Sequence, residues 1–244
     1  MKIYGLIGKS LGHSYSAAFF GEYFKVNEIA AEYHNFELAE IHEIQNVFDQ
    51  HPAGLNVTIP YKESVIPFLD ELTEEAKAIG AVNCIQFVHG KKVGHNTDAY
   101  GFHQSVKPFL TFHHERALIL GTGGAAKAVS YVLKNLGIDV LTISRNPEGP
   151  KQFHYDEINE HMPRACKFIV NCTPVGTYPN VEDHISIPFQ HLTADHLIID
   201  LIYNPEKTKF LELAEANGAT ILNGEAMLKH QALHSWKIWN EETA

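Results

Sequence analysis

The sequence predicts an α/β fold that is divided into two domains. Short apolar runs of strand length alternate with helical patterns along the chain, which favours mostly parallel sheets with helices on their faces. A glycine-rich turn near the middle opens a second series of the same alternation. At 244 residues, 45% of them hydrophobic and 20% charged, the chain is long and apolar enough for one large core or two smaller ones.

The N-terminal half contains the elements expected of the first domain. Its predicted strands are 2–7, 32–36 and 54–59, followed by a hairpin of 81–89 and 91–95 that turns at Gly90. Its predicted helices are 16–24, 38–48, 61–69 and 73–79. A further helix over 100–110 leads into the second half, so we place the domain boundary near Gly101.

The second half begins with an apolar strand over 116–120 and the sequence Gly121-Thr-Gly-Gly-Ala-Ala126. A helical pattern follows, Gly137 ends it, and an apolar strand covers 139–144. The remaining predicted elements are strands 168–171, 197–201 and 220–222 and helices 207–217 and 225–239. The strand–turn–helix–strand unit matches the Gly-x-Gly-x-x-Gly/Ala pattern of Rossmann-type dinucleotide-binding domains, with Ala126 in the third small position.

The glycine turn suits a pyrophosphate because the first N–H groups of a helix are unpaired, its dipole is positive there, and missing side chains allow close approach. The alternative is a tight turn that binds no ligand. The second strand ends in Ser144-Arg145-Asn146, where NAD-binding sites usually carry a carboxylate for the ribose hydroxyl. Arg145 can pair with a 2′-phosphate, which favours NADP; the alternative for Arg145 is an ordinary surface position.

Composition argues against several other classes of protein. The formal net charge of −10 disfavours a nucleic-acid-binding surface, and no apolar run is long enough to span a membrane. Three cysteines in no paired pattern favour a reducing compartment, so we expect a cytoplasmic protein. The 16 histidines include no His-Glu-x-x-His sequence and no completed ligand set, so we predict no metal.

Polar residues follow the predicted strands at places where a purely structural sequence would be apolar or variable. Ser14 and Ser16 lie near the start of the first helix and suit an anionic carboxylate, unless Ser16 is only the helix N-cap. Asn56 and Thr58 alternate along one strand, which runs through Pro60 to Lys62. Further polar residues at strand ends are Asn83, Asn96, Thr97 and Asp98.

These motifs resemble those of the shikimate/quinate dehydrogenase family over nearly the whole chain. The matching segments are HSYS at 13–16, NVTIPYK at 56–62, AVN at 81–83, NTDAYG at 96–101, GTGGAAKA at 121–128, DLIYNP at 200–205 and GEAMLKHQA at 224–232. The resemblance implies a substrate-binding domain of residues 1–100 plus 225–244, to which the C-terminal helix returns, and a Rossmann NADP-binding domain of residues 101–224. It also implies an active site in a cleft between the domains and a small-molecule substrate, shikimate or 3-dehydroshikimate. We expect a monomer or a homodimer.

The resemblance also implies which residues bind each ligand. The substrate carboxylate would be held by Ser14 and Ser16, with Tyr203 near it. The ring hydroxyls would be held by Asn56 or Thr58, Lys62, Asn83, Asp98 and Gln231. NADP would contact Gly121, Gly123, Gly124, Ala125, Arg145, Thr173, Gly224 and Met227. The chain departs from the family pattern at Leu11 or Ser10 and at Ala17, where the family has prolines, and at Ser144 and Asn146 beside Arg145.

The expected reaction is reversible hydride transfer from NADPH to 3-dehydroshikimate, which gives shikimate. Hydride delivery builds negative charge on the ketone oxygen, so the site needs a cation and a proton donor beside it. We expect Lys62 to transfer the proton with Asp98 as its partner, and the microscopic assignment between them stays open. Two alternatives remain: a dehydrogenase that acts on quinate or another polyol acid or uses NAD, and a non-catalytic NADP-sensing protein, which needs neither residue.

Overall fold

The computed structural model describes residues 1–12 and 14–241. His13, the first residue of the HSYS segment, lies outside the described residues, as do residues 242–244 at the end of the predicted substrate-binding domain.

Within the described chain, the backbone forms two compact units. The first comprises Met1–Gly101 and the segment from Leu228 onward, and the second comprises Phe102–Met227. The predicted α/β class is confirmed, and the C-terminal helix returns to the first unit. The assignment of one domain to the substrate and the other to the cofactor stays a prediction.

The first unit is built on a sheet of strands β1 (Lys2–Gly8), β2 (Ala31–Glu37), β3 (Gly54–Val57), β4 (Glu71–Leu72), β5 (Cys84–Val88) and β6 (Lys91–His95). Across the sheet they run in the order β2-β1-β3-β5-β6-β4. β1 pairs in parallel with β2 and β3, whereas β5 pairs antiparallel with β3 and β6. The predicted hairpin turns at His89 and Gly90, whose positive φ angles of 51° and 76° match the twist of paired strands.

The second unit is built on a parallel sheet of strands β7 (Arg116–Leu120), β8 (Asp139–Ile143), β9 (Gln152–Phe153), β10 (Phe168–Asn171), β11 (Leu197–Asp200) and β12 (Thr220–Leu222). Across the sheet they run in the order β12-β11-β10-β7-β8-β9. Counted from β7, this is the 3-2-1-4-5-6 order of dinucleotide-binding sheets. The order reverses between β7 and β10, so the ends of these two strands form the switch point where such sheets bind ligands.

The described helices are α1 (Tyr15–Val26), α2 (Ile44–Phe48), α3 (Glu74–Ile79), α4 (Thr97–Val106), α5 (Gly124–Asn135), α6 (His161–Ala165), α7 (Lys209–Ala216) and α8 (Glu225–Asn240). Ser14, Thr73 and Thr208 cap α1, α3 and α7 because each side-chain oxygen accepts a first-turn N–H. The N-cap of α5 is instead Gly123, which has no side chain to accept a first-turn N–H.

An aromatic cluster holds α8 in the first unit. The ring of Trp239 lies 5.0 Å from that of Tyr4 on β1 and 5.4 Å from that of Phe20 on α1, measured between centroids. Gly54 on β3 makes room for this indole, since a Cβ at that position would come within 2.4 Å of it. Buried aromatic pairs of this kind contribute substantially to stability, and they fix the rotation of the helix that carries Gln231.

Three predicted helices differ from those in the structure, one in kind and two in where they begin or end. Residues 61–69 form turns and a short 3-10 helix (Ile66–Phe68), because Pro67 supplies no N–H donor to an α-helix there. The 38–48 helix begins as a 3-10 turn and becomes α-helical only from Ile44. The 100–110 helix starts earlier, at Thr97, and Pro108 accompanies its change into a 3-10 turn.

Candidate functional site

The polar residues of the first unit come together at one edge of its sheet. β3 runs antiparallel to β5, and β5 to β6, so that Asn56, Cys84 and His95 are neighbours in register. The segments that leave β3, enter β5 and leave β6 therefore meet at this edge. These segments carry Lys62, Asn83 and Asp98.

Lys62 and Asp98 form an ion pair that is largely shielded from solvent. Lys62 Nζ lies 2.5 Å from Asp98 Oδ2, and the two side chains are 14% and 7% exposed. Asp98 lies in the first turn of α4, where the helix dipole favours a carboxylate. Asn83 Nδ2 donates to the other carboxylate oxygen, Oδ1, at 2.8 Å. Because both oxygens are held, the orientation of the carboxylate toward the ammonium is determined.

A wider hydrogen-bond network connects Asn83 to α8. Asn83 Oδ1 accepts from the Thr97 N–H at 2.6 Å, which determines how the Asn83 amide is turned. Gln231 Oε1 lies 3.3 Å from both Asn83 Nδ2 and Thr97 Oγ1. One helical turn later, Ser235 Oγ lies 3.1 Å from Thr97 Oγ1 and accepts from Asn56 Nδ2 at 2.9 Å. The structure thus brings Asn56, Lys62, Asn83, Asp98 and Gln231 into one connected network.

Sequence reasoning assigned no role to three members of this network: Tyr33, Thr97 and Ser235. The Tyr33 hydroxyl donates to Asn56 Oδ1 at 2.9 Å, and burial raises the pKa of this hydroxyl well above its usual value, so it stays protonated. Thr97 was detectable because it precedes Asp98, and Ser235 because it lies four residues after Gln231 on the same helix face. Tyr33 had no such signal, since its strand is remote from every motif.

Ser14 and Ser16 occupy different positions at the start of α1. Ser14 is the N-cap, since its Oγ accepts from the Ala17 N–H at 3.2 Å, so the alternative in which Ser16 caps the helix is wrong. Ser16 is buried in the first turn of α1. Thr58 is half-buried just after β3, and its N–H donates to the carbonyl of Ile7 at 2.8 Å.

In the second unit, the glycine turn leads from β7 into α5. Gly121 has a φ of +105°, a conformation that favours glycine, and a Cβ there would lie 3.0 Å from Thr173 Cγ2. A Cβ on Gly123 would meet nothing within 4 Å. The first-turn N–H groups, at Gly124 and Ala125 among others, are therefore approachable by an anion. This arrangement fits the phosphates of a dinucleotide.

Thr173 lies on the other side of the switch point, just after β10. Its N–H and hydroxyl both donate to Asn171 Oδ1, at 3.0 and 2.7 Å. Asn171 is buried at the last position of β10. The structure thus brings the predicted cofactor residues Gly121 and Thr173 together, and Asn171 holds Thr173 through both hydrogen bonds.

Arg145 is exposed immediately after β8. The hydroxyl of Ser144 accepts from the Asn146 N–H at 3.1 Å, so Ser144 shapes the turn that presents Arg145. Lys151, the next cation along the chain, pairs with Asp139 at the opposite, amino end of β8. Arg145 is therefore the cation that follows the carboxyl end of β8, and the glycine turn follows the carboxyl end of the neighbouring strand β7.

The remaining predicted residues lie in the second unit as well. Gly224 donates its N–H to the carbonyl of Ile202 at 3.0 Å, and a Cβ on it would lie 2.0 Å from the carbonyl oxygen of Leu201. Met227 is buried in the first turn of α8. Tyr203 is half-buried after β11, so it belongs to a different unit from the other predicted substrate residues.

Among residues 1–12 and 14–241, no group of three or more His, Cys, Asp or Glu side chains is arranged to hold a metal ion. In the same part of the chain, every helix is too short or too polar to cross a bilayer.

The chain is similar to known proteins over its whole length. Residues 6–85 match the family model described as the shikimate dehydrogenase substrate binding domain. The shikimate dehydrogenase (NADP(+)) of Clostridium botulinum is 36% identical over 96% of this chain and 95% of its own length. The enzyme of the same name from Carboxydothermus hydrogenoformans is 37% identical over 98% and 91%. The crystal structure of shikimate dehydrogenase 1 from Peptoclostridium difficile superposes with a TM-score of 0.88, at 34% identity, over 100% of this chain and 93% of that one.

A parallel sheet with a glycine turn at its switch point is typical of a Rossmann-type dinucleotide-binding protein. The relatives named above are dehydrogenases, so the class is that of oxidoreductases with a Rossmann-type fold. Identities of 36–37% over nearly the full length of both chains narrow this class further. The chain belongs to the shikimate dehydrogenase family.

Proposed function

We propose that this protein catalyses the reversible reduction of 3-dehydroshikimate to shikimate with NADPH. The observation that carries the proposal is the shielded pair of Lys62 and Asp98, held by Asn83, in a chain of this family. NADPH, when bound, supplies the hydride that reduces the ketone carbon. The ketone oxygen then takes up one proton, so the reaction needs a proton donor at that oxygen.

Lys62 meets that need at the ketone oxygen. An ammonium has three N–H donors, of which Asp98 engages one, and its charge stabilises the negative charge that develops on the oxygen. Asp98 orients the ammonium and can accept from the neighbouring ring hydroxyl. Asn83 keeps the carboxylate from rotating, since it binds the oxygen that Lys62 does not.

The remaining polar residues of the first unit would hold the rest of the substrate. Ser14 and Ser16 are proposed to bind the carboxylate, with Tyr203 near it, and the ring hydroxyls are proposed to contact Asn56 or Thr58, Asn83 and Gln231. The Ser14 hydroxyl supports this role because its oxygen accepts the helix-cap bond, which leaves its proton for an acceptor outside the helix.

The proposed cofactor is NADP. Gly121, Gly123, Gly124 and Ala125 are proposed to hold its phosphates at the switch point, with Thr173 lying against the glycine turn and Gly224 and Met227 beside the nicotinamide. Arg145 would pair with the 2′-phosphate, and the exposure of this guanidinium after β8 supports that assignment. No metal takes part in the proposed reaction, and the free thiols of Cys84, Cys166 and Cys172 suit the cytoplasmic location that we also propose.

The test is an absorbance assay at the NADPH band, with shikimate and quinate each offered with NADP and with NAD. We expect the highest kcat/KM for shikimate with NADP. Lys62→Ala should lower kcat at least about a hundredfold while the protein stays folded, because the proton donor is lost.

Lys77→Ala is the matched control, since Lys77 also pairs with a carboxylate but is exposed on α3. It should turn over like the wild type. Near-normal turnover by Lys62→Ala would remove Lys62 from the mechanism, and a wild-type protein without activity on any of the four combinations would refute the proposed function.

A further inference from the structure

Beyond the residues assigned above, the carboxyl ends of β10 and β11 enclose a buried carboxylate, that of Asp200. Its side chain is fully buried. Asp200 Oδ1 accepts from Asn171 Nδ2 and from the Ile202 N–H, both at 3.1 Å, and Oδ2 accepts from the Thr208 hydroxyl at 2.7 Å. Thr208 in turn caps α7. The carboxylate therefore joins β10, β11 and α7 at a single point.

The protonation state of Asp200 determines what its neighbours can do. Burial raises the pKa of this carboxyl to about 6, against hydrogen bonds that lower it, so the group is ionised at pH 7.5. An ionised carboxylate only accepts hydrogen bonds. The Asn171 amide must therefore turn its NH₂ group toward Asp200, which leaves its oxygen facing the loop after β10.

That amide oxygen holds the Thr173 loop. It accepts from both the N–H and the hydroxyl of Thr173, and Thr173 Oγ1 accepts from the Val175 N–H at 3.2 Å. The single hydroxyl proton of Thr173 is thus committed to Asn171. The methyl group of Thr173 faces Gly121 instead: a Cβ at position 121 would lie 3.0 Å from Thr173 Cγ2.

We propose that Asp200 is a positioning residue for the cofactor site: through the Asn171 amide, it holds the Thr173 loop against the glycine turn at the switch point. This inference rests on the proposed NADP-binding function. Asp200 is buried behind Asn171 and acts through it. The Thr173 hydroxyl then serves to hold the loop through Asn171 and does not donate to the cofactor.

The test measures NADPH binding by fluorescence titration of the whole protein, with shikimate binding measured by calorimetry in parallel. Asp200→Ala should weaken NADPH binding at least about tenfold, because the Asn171 amide loses the partner that orients it. Asp200→Asn should stay within about threefold of the wild type, since an amide can accept from Asn171 and donate to Thr208. Shikimate binding should be unchanged in both variants.

A second pair of variants, with one control, keeps the test decisive if Asp200→Ala folds poorly. Thr173→Val removes the hydroxyl that donates to Asn171 and should weaken NADPH binding, whereas Thr173→Ser keeps that hydroxyl and should bind NADPH more tightly than Thr173→Val does. Asp139→Ala is the control, since Asp139 is a carboxylate at the opposite end of the same sheet.

The inference is overturned if Asp200→Ala and Thr173→Val bind NADPH like the wild type, if Asp200→Asn fails as badly as Asp200→Ala, or if shikimate binding falls equally. A wild-type protein that does not bind NADPH would instead refute the proposed function.

Discussion

The guanidinium of Arg145 is exposed directly after β8, and Lys151 is held at the other end of that strand by Asp139. Recognition of a 2′-phosphate would therefore depend strongly on one side chain. A guanidinium binds a phosphate through two parallel N–H donors, whereas a ribose hydroxyl gains little from it.

Arg145→Ala should raise the KM for NADPH at least about tenfold and leave the KM for NADH within about twofold, because charge-assisted bonds of this kind contribute about 1.5–3 kcal/mol. Steady-state kinetics with both cofactors measure this. Arg116→Ala serves as the control, since Arg116 pairs with Asp139 at the amino end of β7 and β8. Equal changes for NADPH and NADH would show that the phosphate is recognised elsewhere.

The residue types at the candidate site could be predicted from the sequence, but their hydrogen-bond partners could not. Lys62 and Asp98 stood out because they are polar residues beside strand ends. Asn83 donates from Nδ2 to Asp98 and accepts from the Thr97 N–H at Oδ1. This arrangement depends on the rotation of the Asn83 side chain, which only the folded environment determines. For the same reason, the hydrogen bond from the Thr173 hydroxyl to Asn171 could not be predicted from the sequence.

Where β12 turns into α8, the backbone approaches the segment after β11 too closely for a side chain. A Cβ on Gly224 would lie 2.0 Å from the carbonyl oxygen of Leu201, and backbone atoms cannot move aside cheaply. Gly21, in the middle of α1, is the opposite case, since a Cβ there meets nothing within 4 Å.

Gly224→Ala should lower the free energy of unfolding by at least about 1–3 kcal/mol, the usual cost of overpacking. Gly21→Ala should raise it by about 0.5–1 kcal/mol, because alanine loses less entropy than glycine in a helix. Thermal unfolding of the two variants beside the wild type gives both values. A Gly224→Ala variant as stable as the wild type would mean that this junction relaxes freely.

Apolar strands of three residues or more were predictable from the sequence, whereas the two-residue strands and the turns of 61–69 were not. Every residue of β10 and β11 is buried, and such strands appear as continuous apolar runs. The two-residue strands β4 and β9 are too short to produce a pattern. In 61–69, the buried Tyr61 and Val65 have helical spacing, yet Pro67 prevents the helix that this spacing favours.

Acidification should destabilise the first unit through His95. Burial, with the nearby His234, lowers the pKa of His95 to about 4, and its Nε2 is buried without a hydrogen-bond partner among the described residues. An unfolded histidine binds a proton near pH 6.5. Between pH 6.5 and 4 the unfolded state therefore binds more protons, so stability falls as the pH falls, by up to about 3 kcal/mol from His95.

Urea denaturation followed by tryptophan fluorescence measures this effect, since both tryptophans, Trp236 and Trp239, lie on α8 in the same unit as His95. We expect the denaturation midpoint to fall between pH 7 and pH 4.5. His95→Phe should reduce that fall, because the variant has no imidazole to protonate at this position. A fall as large as that of the wild type would assign the acid sensitivity to other groups.

In the second unit, Asp200 acts in the opposite direction, since its raised pKa favours the folded state as the pH falls from about 6 to 4.

The sequence by itself determined the α/β class, the glycine turn, the identity of the polar residues at strand ends and the family of the protein. These are local properties, written in apolar periodicity and short motifs. Only the tertiary structure decided which side chains meet, because the contacts join residues far apart in the chain. Asn56 and Ser235 are 179 positions apart, and Asn171 and Asp200 are 29 apart. Such pairs depend on the register of the strands, on the rotation of α8 against the first unit and on the orientation of each amide, none of which a local pattern records.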